Sequence, residues 1–86
     1  MIKLEHTVIT NTGIHAKTAG MIAKLAKDCS NTKIEITIGN ETVKATQMMK
    51  LMAMKAAHGD KVHIQIDGPD EKIVEMTLKP ILSSYL

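Results

Sequence analysis

The stretch Lys33-Ile34-Glu35-Ile36-Thr37-Ile38-Gly39-Asn40-Glu41-Thr42-Val43-Lys44-Ala45 decides the fold class. Ile34, Ile36 and Ile38 alternate with Lys33, Glu35 and Thr37, the period of a strand with one apolar and one polar face. Gly39-Asn40 tolerates positive φ, so the chain can reverse there into a second strand over Thr42-Val43-Lys44-Ala45, and the two read as a hairpin. One-faced strands joined by a tight turn point to an antiparallel sheet with one side packed and the other wet.

Upstream, Ser30-Asn31-Thr32 interrupts a helical pattern in which Ala19, Ile22, Leu25, Ala26 and Cys29 recur on one side, with Lys17, Lys24, Lys27 and Asp28 mostly on the other. This is an amphipathic helix of about three turns. A loop over Thr10 to Gly13 precedes it. Before the loop, Ile2, Leu4 and Val8 alternate with Lys3, Glu5 and Thr7 as a half-buried strand. His6 shares the inward parity and reads as a core-edge residue with its ring nitrogens near a backbone carbonyl.

Downstream, the pattern turns helical from about Thr46, with Met48, Met49, Leu51, Met52 and Met54 crowded together until His58-Gly59-Asp60 ends the element. Val62, Ile64 and Ile66 then alternate with Lys61, His63 and Gln65 as a fourth strand. Asp67-Gly68-Pro69-Asp70-Glu71 is a turn with proline and acidic residues where a first helical turn wants them. The helix it feeds carries Ile73, Val74, Met76, Thr77 and Leu78. Pro80 lacks an N–H, which predicts an end or a kink near Lys79 and a terminal extension over Ile81 to Leu86. The element order is βαββαβα. The economical solution is an α+β open-faced sandwich, a four-stranded antiparallel sheet with three helices on one face, formed by one domain over residues 1–86.

Composition narrows the function. The chain has no Phe or Trp, one Tyr and seven Met, so its core must be aliphatic and somewhat plastic. A net charge of +2 with interspersed signs, and the lack of stacking aromatics, argue against nucleic acid as a partner. All of the cations are lysine, so anion chemistry must rely on backbone amides and point charges rather than guanidinium forks. Cys29 alone allows no internal disulfide and reads as a small buried hydrophobe. No apolar run of about 18 residues and no leader pattern is visible, so a cytoplasmic protein without membrane insertion is expected. His6 and His63 have opposite parity and His58 lies in a turn, so no metal site is expected.

His15 remains. It lies in Asn11-Thr12-Gly13-Ile14-His15-Ala16-Lys17-Thr18-Ala19, where a glycine-containing loop runs into the first helix and leaves an imidazole at the helix mouth. The first amides of a helix have no internal partners, so Ala16 and Thr18 offer N–H donors to an anion and Lys17 adds a cation. A neutral imidazole can accept a phosphoryl group and pass it on. Taken alone, a histidine at a helix start is more often a polar cap or a surface residue.

Gly13-Ile14-His15-Ala16 before the first helix, the Gly39 hairpin, the Met-rich short helix, the Gly59 turn and the acidic start of the last helix fall at matching intervals along a known pattern. Over essentially its whole length the chain resembles the histidine-containing phosphocarrier family HPr of the bacterial sugar phosphotransferase system. The resemblance implies a stoichiometric carrier, not an enzyme and with no cofactor, that accepts a phosphoryl group on Nδ1 of His15 from enzyme I and passes it to sugar-specific enzyme IIA domains. It implies docking through the first two helices, with Met48 and Lys50 as contacts and Met52 beside them, and monomer is the default state for a shuttle. The chain departs from the family's usual pattern by Lys17 for arginine and Thr18 for proline, so slower or weaker transfer is expected, with Thr18 offering a hydroxyl and one more N–H. Gln47 stands where some members carry a serine phosphorylated by a kinase, so that switch is expected to be absent; Thr46 beside it reads as a helix N-cap. The alternative is an HPr-like regulatory binding module with little or no phosphotransfer.

Overall fold

The computed structural model describes residues 1–10 and 13–86. Asn11 and Thr12, which open the segment around His15, lie outside the described residues. The elements are β1 (Ile2–Thr7), α1 (Ala16–Asp28), β2 (Lys33–Ile38), β3 (Glu41–Lys44), α2 (Met48–Ala53), β4 (Lys61–Asp67) and α3 (Glu71–Tyr85). The strands form one sheet in the order β1-β4-β2-β3, every neighbouring pair antiparallel.

Alternation sets which face is packed. Ile34, Ile36, Ile38, Val43, Val62, Ile64 and Ile66 are buried and join one core with residues of all three helices. The opposite face carries Lys3, Glu5, Thr7, Lys61, His63 and Gln65 in water. Register pairs are reinforced there: Thr37 Oγ1 lies 2.8 Å from Thr42 Oγ1, and Lys61 Nζ donates to Thr7 Oγ1 at 3.0 Å. The hairpin closes through Gly39 at φ 62 while Asn40 keeps negative φ, the demand of a turn with positive φ only at its first central residue. His6 is half-buried as its parity requires, but its Nε2 is buried with no hydrogen-bond partner among the described residues, so the expected carbonyl contact is not made by that nitrogen.

The second helix ends at Ala53, earlier than the His58-Gly59-Asp60 turn, because only Leu51 within it is buried. Met54 and Ala56 reach the core from the following segment instead. The turn itself is tied by Ala57 N–H donating to Asp60 Oδ2 at 2.9 Å and by Gly59 N–H donating to Val8 O at 2.8 Å.

The largest departure from expectation is α3, which runs through Pro80 to Tyr85. Leu82 and Leu86 are 3% and 1% exposed, and the Leu86 main-chain oxygen accepts from Ile9 N–H at 2.7 Å and Thr10 N–H at 3.3 Å. Burying two leucines is worth about 3–6 kcal/mol, which meets or exceeds the roughly 3 kcal/mol cost of an interior proline. Pro80 is exposed, so the carbonyl it leaves without a helical donor, that of Met76, can turn to water. Pro80→Ala is therefore expected to raise stability by about 1–2 kcal/mol, the restored helix being offset in part by greater freedom of the unfolded chain. A higher urea midpoint at unchanged slope would show this; an unchanged or lower midpoint would mean that Pro80 itself supports the Leu82 and Leu86 contacts.

Candidate functional site

Local sequence aims His15 outward. Gly13 takes φ 75, and Ile14, 5% exposed, is drawn into the core. The next residue, His15, is exposed and sits at the N-cap of α1 in extended conformation, φ −70 and ψ 159. Its carbonyl accepts from Ala19 N–H at 2.9 Å, the first bond of the helical ladder. Ala16, Lys17 and Thr18 therefore contribute the amides without intrahelical acceptors. No acidic residue occupies the first turn, so no carboxylate of α1 competes for those donors.

Thr18 differs from expectation. It is 2% exposed, so its hydroxyl is not presented outward. Thr18, Ile22 and Ala26 follow one another at four-residue spacing on the buried stripe of α1, and packing claims the threonine as the first member of that stripe. Ala16 and Lys17 are the exposed residues of the helix mouth. Lys17 reaches toward α3, with Nζ 4.9 Å from the centroid of the Tyr85 ring. Sequence reasoning missed this tyrosine because Pro80 hid the last turns of α3. A signal was present: Val74, Leu78, Leu82 and Leu86 keep a four-residue spacing straight across the proline.

The residues expected at a docking surface lie on α2. Met48 is half-buried and its Cε approaches Gly20 of α1, 3.6 Å from where a β-carbon would stand. Lys50 is exposed, as are Met52 at 38% and Met49 at 77%. Gln47, not Thr46, occupies the N-cap of α2. Thr46 is exposed inside a turn closed by Gln47 N–H donating to Lys44 O at 3.0 Å, and that turn moves the helix start one residue on.

Other features lie elsewhere. A groove of about 430 Å³ lined in part by Lys27, Lys33, Lys44, Thr46 and Asp67 sits at the far end of α1, where helix carbonyls disfavour an anion. Cys29 is buried, and burial pushes its thiol pKa up, away from the reactive thiolate. Among the described residues, no group of His, Cys, Asp and Glu could hold a metal ion, and no helix is long and apolar enough to cross a membrane.

Known proteins match this geometry. Residues 2–83 match the family described as PTS HPr component phosphorylation site. The phosphocarrier protein HPr of Xylella fastidiosa strain Temecula1 is 33% identical over 85 residues, covering 98% of this chain and 93% of the relative. A histidine-containing phosphocarrier protein from Mycoplasma superposes with a TM-score of 0.84 at 28% identity, over 93% of this chain and 90% of that one. HPr from Thermoanaerobacter tengcongensis gives 0.84 at 25% identity, over 99% and 94%. With its fold and nearly its whole length in common with them, the chain belongs to the HPr phosphocarrier family.

Proposed function

We propose that the chain shuttles a phosphoryl group as phosphohistidine on His15, taking it from enzyme I and passing it to enzyme IIA domains of the sugar phosphotransferase system. The observation that carries this is an exposed imidazole at the N-cap of α1, beside exposed Ala16 and Lys17, with no acid in the first turn. The Nδ1 lone pair of neutral His15 attacks phosphorus on the donor phosphohistidine. The new P–N bond forms as the donor's P–N bond breaks, and that electron pair returns to the donor ring, so no proton needs to move. Amide N–H groups and Lys17 balance charge on the phosphoryl oxygens, but a helix mouth in water does so modestly, which suits a group that must leave again. Lys17 is a point charge without a guanidinium fork, so transfer slower than that of an arginine-bearing relative follows. Exposed Lys50, Met49 and Met52, with Met48 behind them, supply an adaptable docking surface beside α1. The carrier is stoichiometric, and Gln47 offers no hydroxyl for a regulatory phosphate at the N-cap of α2.

Incubation with enzyme I and phosphoenolpyruvate is expected to place one acid-labile phosphate on His15, discharged on addition of an enzyme IIA domain. His15→Ala is expected to accept none. Phosphate that is acid-stable, or that persists on His15→Ala, would contradict the proposal, and a well-folded wild-type protein that stays unmodified would favour the binding-module alternative.

A further inference from the structure

We infer that Tyr85 is a positioning residue for the phosphoacceptor site, its ring restricting where the Lys17 ammonium can stand without neutralising it. The inference rests on the reading of His15 as the acceptor. Lysine is a poor substitute for a fork because its four-carbon stem leaves the charge free to wander. A carboxylate would fix the ammonium, but it would also cancel the charge that phosphoryl oxygens need. An aromatic face orients a cation by its quadrupole and leaves the full positive charge in place. Lys17 Nζ stands 4.9 Å from the Tyr85 ring centroid, inside the range of that attraction, and among the described residues Lys17 forms no ion pair with a carboxylate.

The ring is itself held in place. Tyr85 is the chain's single aromatic residue and stands at the end of α3, between Leu82 and Leu86, both buried. The Leu86 main-chain oxygen accepts from the amides of Ile9 and Thr10, on the segment leading toward His15. The continuation of α3 past Pro80 thus has a consequence at the other end of the molecule's functional loop: it delivers one aromatic face to one lysine.

Proton NMR and transfer kinetics on wild type, Tyr85→Phe and Tyr85→Leu test this. The ε-methylene protons of Lys17 are expected upfield of their random-coil position in wild type and Tyr85→Phe, shielded by the ring, and at random-coil position in Tyr85→Leu. With enzyme I and phosphoenolpyruvate, Tyr85→Leu is expected to lose about two- to fivefold in kcat/KM, Tyr85→Phe to retain the wild-type value, and the Tyr85→Leu loss to vanish in a Lys17→Met background. A wild type without the upfield shift overturns the inference even if His15 is phosphorylated normally. An equal loss with and without Lys17 overturns it too, because Tyr85 would then act through packing alone. If the shift is present but His15 accepts no phosphate, the acceptor reading falls and the positioning role with it, and the NMR signal keeps the two failures apart.

Discussion

Ile64→Ala is expected to lower stability by about 2–5 kcal/mol while leaving the denaturant slope unchanged. Ile64 is fully buried on β4, an interior strand of the sheet, facing Leu4 of β1 on one side and Ile36 of β2 on the other. Antiparallel pairing on both sides fixes the backbone, so neighbouring strands cannot close on the space that three lost carbons leave. With no Phe or Trp in the chain, the core is built from Ile, Leu, Val, Ala and Met, and no large ring can swing in to refill the cavity. A domain of this size has a total stability of only about 4–13 kcal/mol, so the loss is a large fraction of it. Thermal unfolding should fall by about 4–8 °C for each kcal/mol lost. Ile64→Val, which removes one methylene, should cost only about 0.5–1.5 kcal/mol. An alanine loss no larger than the valine loss would show that the site relaxes around the missing carbons and that cavity formation does not set the cost.

The parts of this molecule that were legible in its sequence are those governed by local pattern. β2 and β4 each present one apolar face, so Ile34, Ile36, Val62, Ile64 and Ile66 could be assigned to the core from alternation alone, and the same reasoning located β1 and α1. His15 was legible for a related reason: a loop–helix junction with a glycine two residues before the imidazole is a local arrangement, and neighbouring Ile14 supplies the anchor that turns the ring outward. What escaped was decided by contacts across the fold. The proline rule at Pro80 loses to the burial of Leu82 and Leu86, and the helix then carries Tyr85 to Lys17 instead of leaving it in a terminal extension. The Thr18 hydroxyl read as part of the site, but the α1 stripe claims that side chain and leaves its amide as its contribution. In α2 and just past its end the apolar residues are so dense that no face is distinguished by pattern; packing places Leu51 and Met54 inside and leaves Met49 and Met52 out.

Gly68 illustrates how much a tertiary contact can hide in a residue that reads as an ordinary turn glycine. It takes φ 152, and a β-carbon built on it would stand 2.5 Å from Thr32 Cα, 2.7 Å from Thr32 Oγ1 and 2.8 Å from Asn31 O. Two of these are backbone atoms that cannot rotate aside. Thr32 is 5% exposed, and its Oγ1 accepts from Asp70 N–H at 2.9 Å, so the turn after α1 and the entry to α3 meet here. Gly68→Ala must therefore strain φ, push the two turns apart and weaken that half-buried hydrogen bond, with an expected cost of about 3–5 kcal/mol. Gly39→Ala separates the causes. Gly39 has φ 62 but nothing within 4 Å of its missing β-carbon, so alanine there should cost only the left-handed strain, about 1–2 kcal/mol. Adding Thr32→Ala to Gly68→Ala removes one of the three clashes and should recover little, since the Thr32 Cα and Asn31 O contacts persist. Urea unfolding of the four proteins decides the matter. A Gly68→Ala loss no larger than that of Gly39→Ala would mean that the 31–32 turn yields freely, and the close approach at Gly68 would then not be what joins the end of α1 to the start of α3.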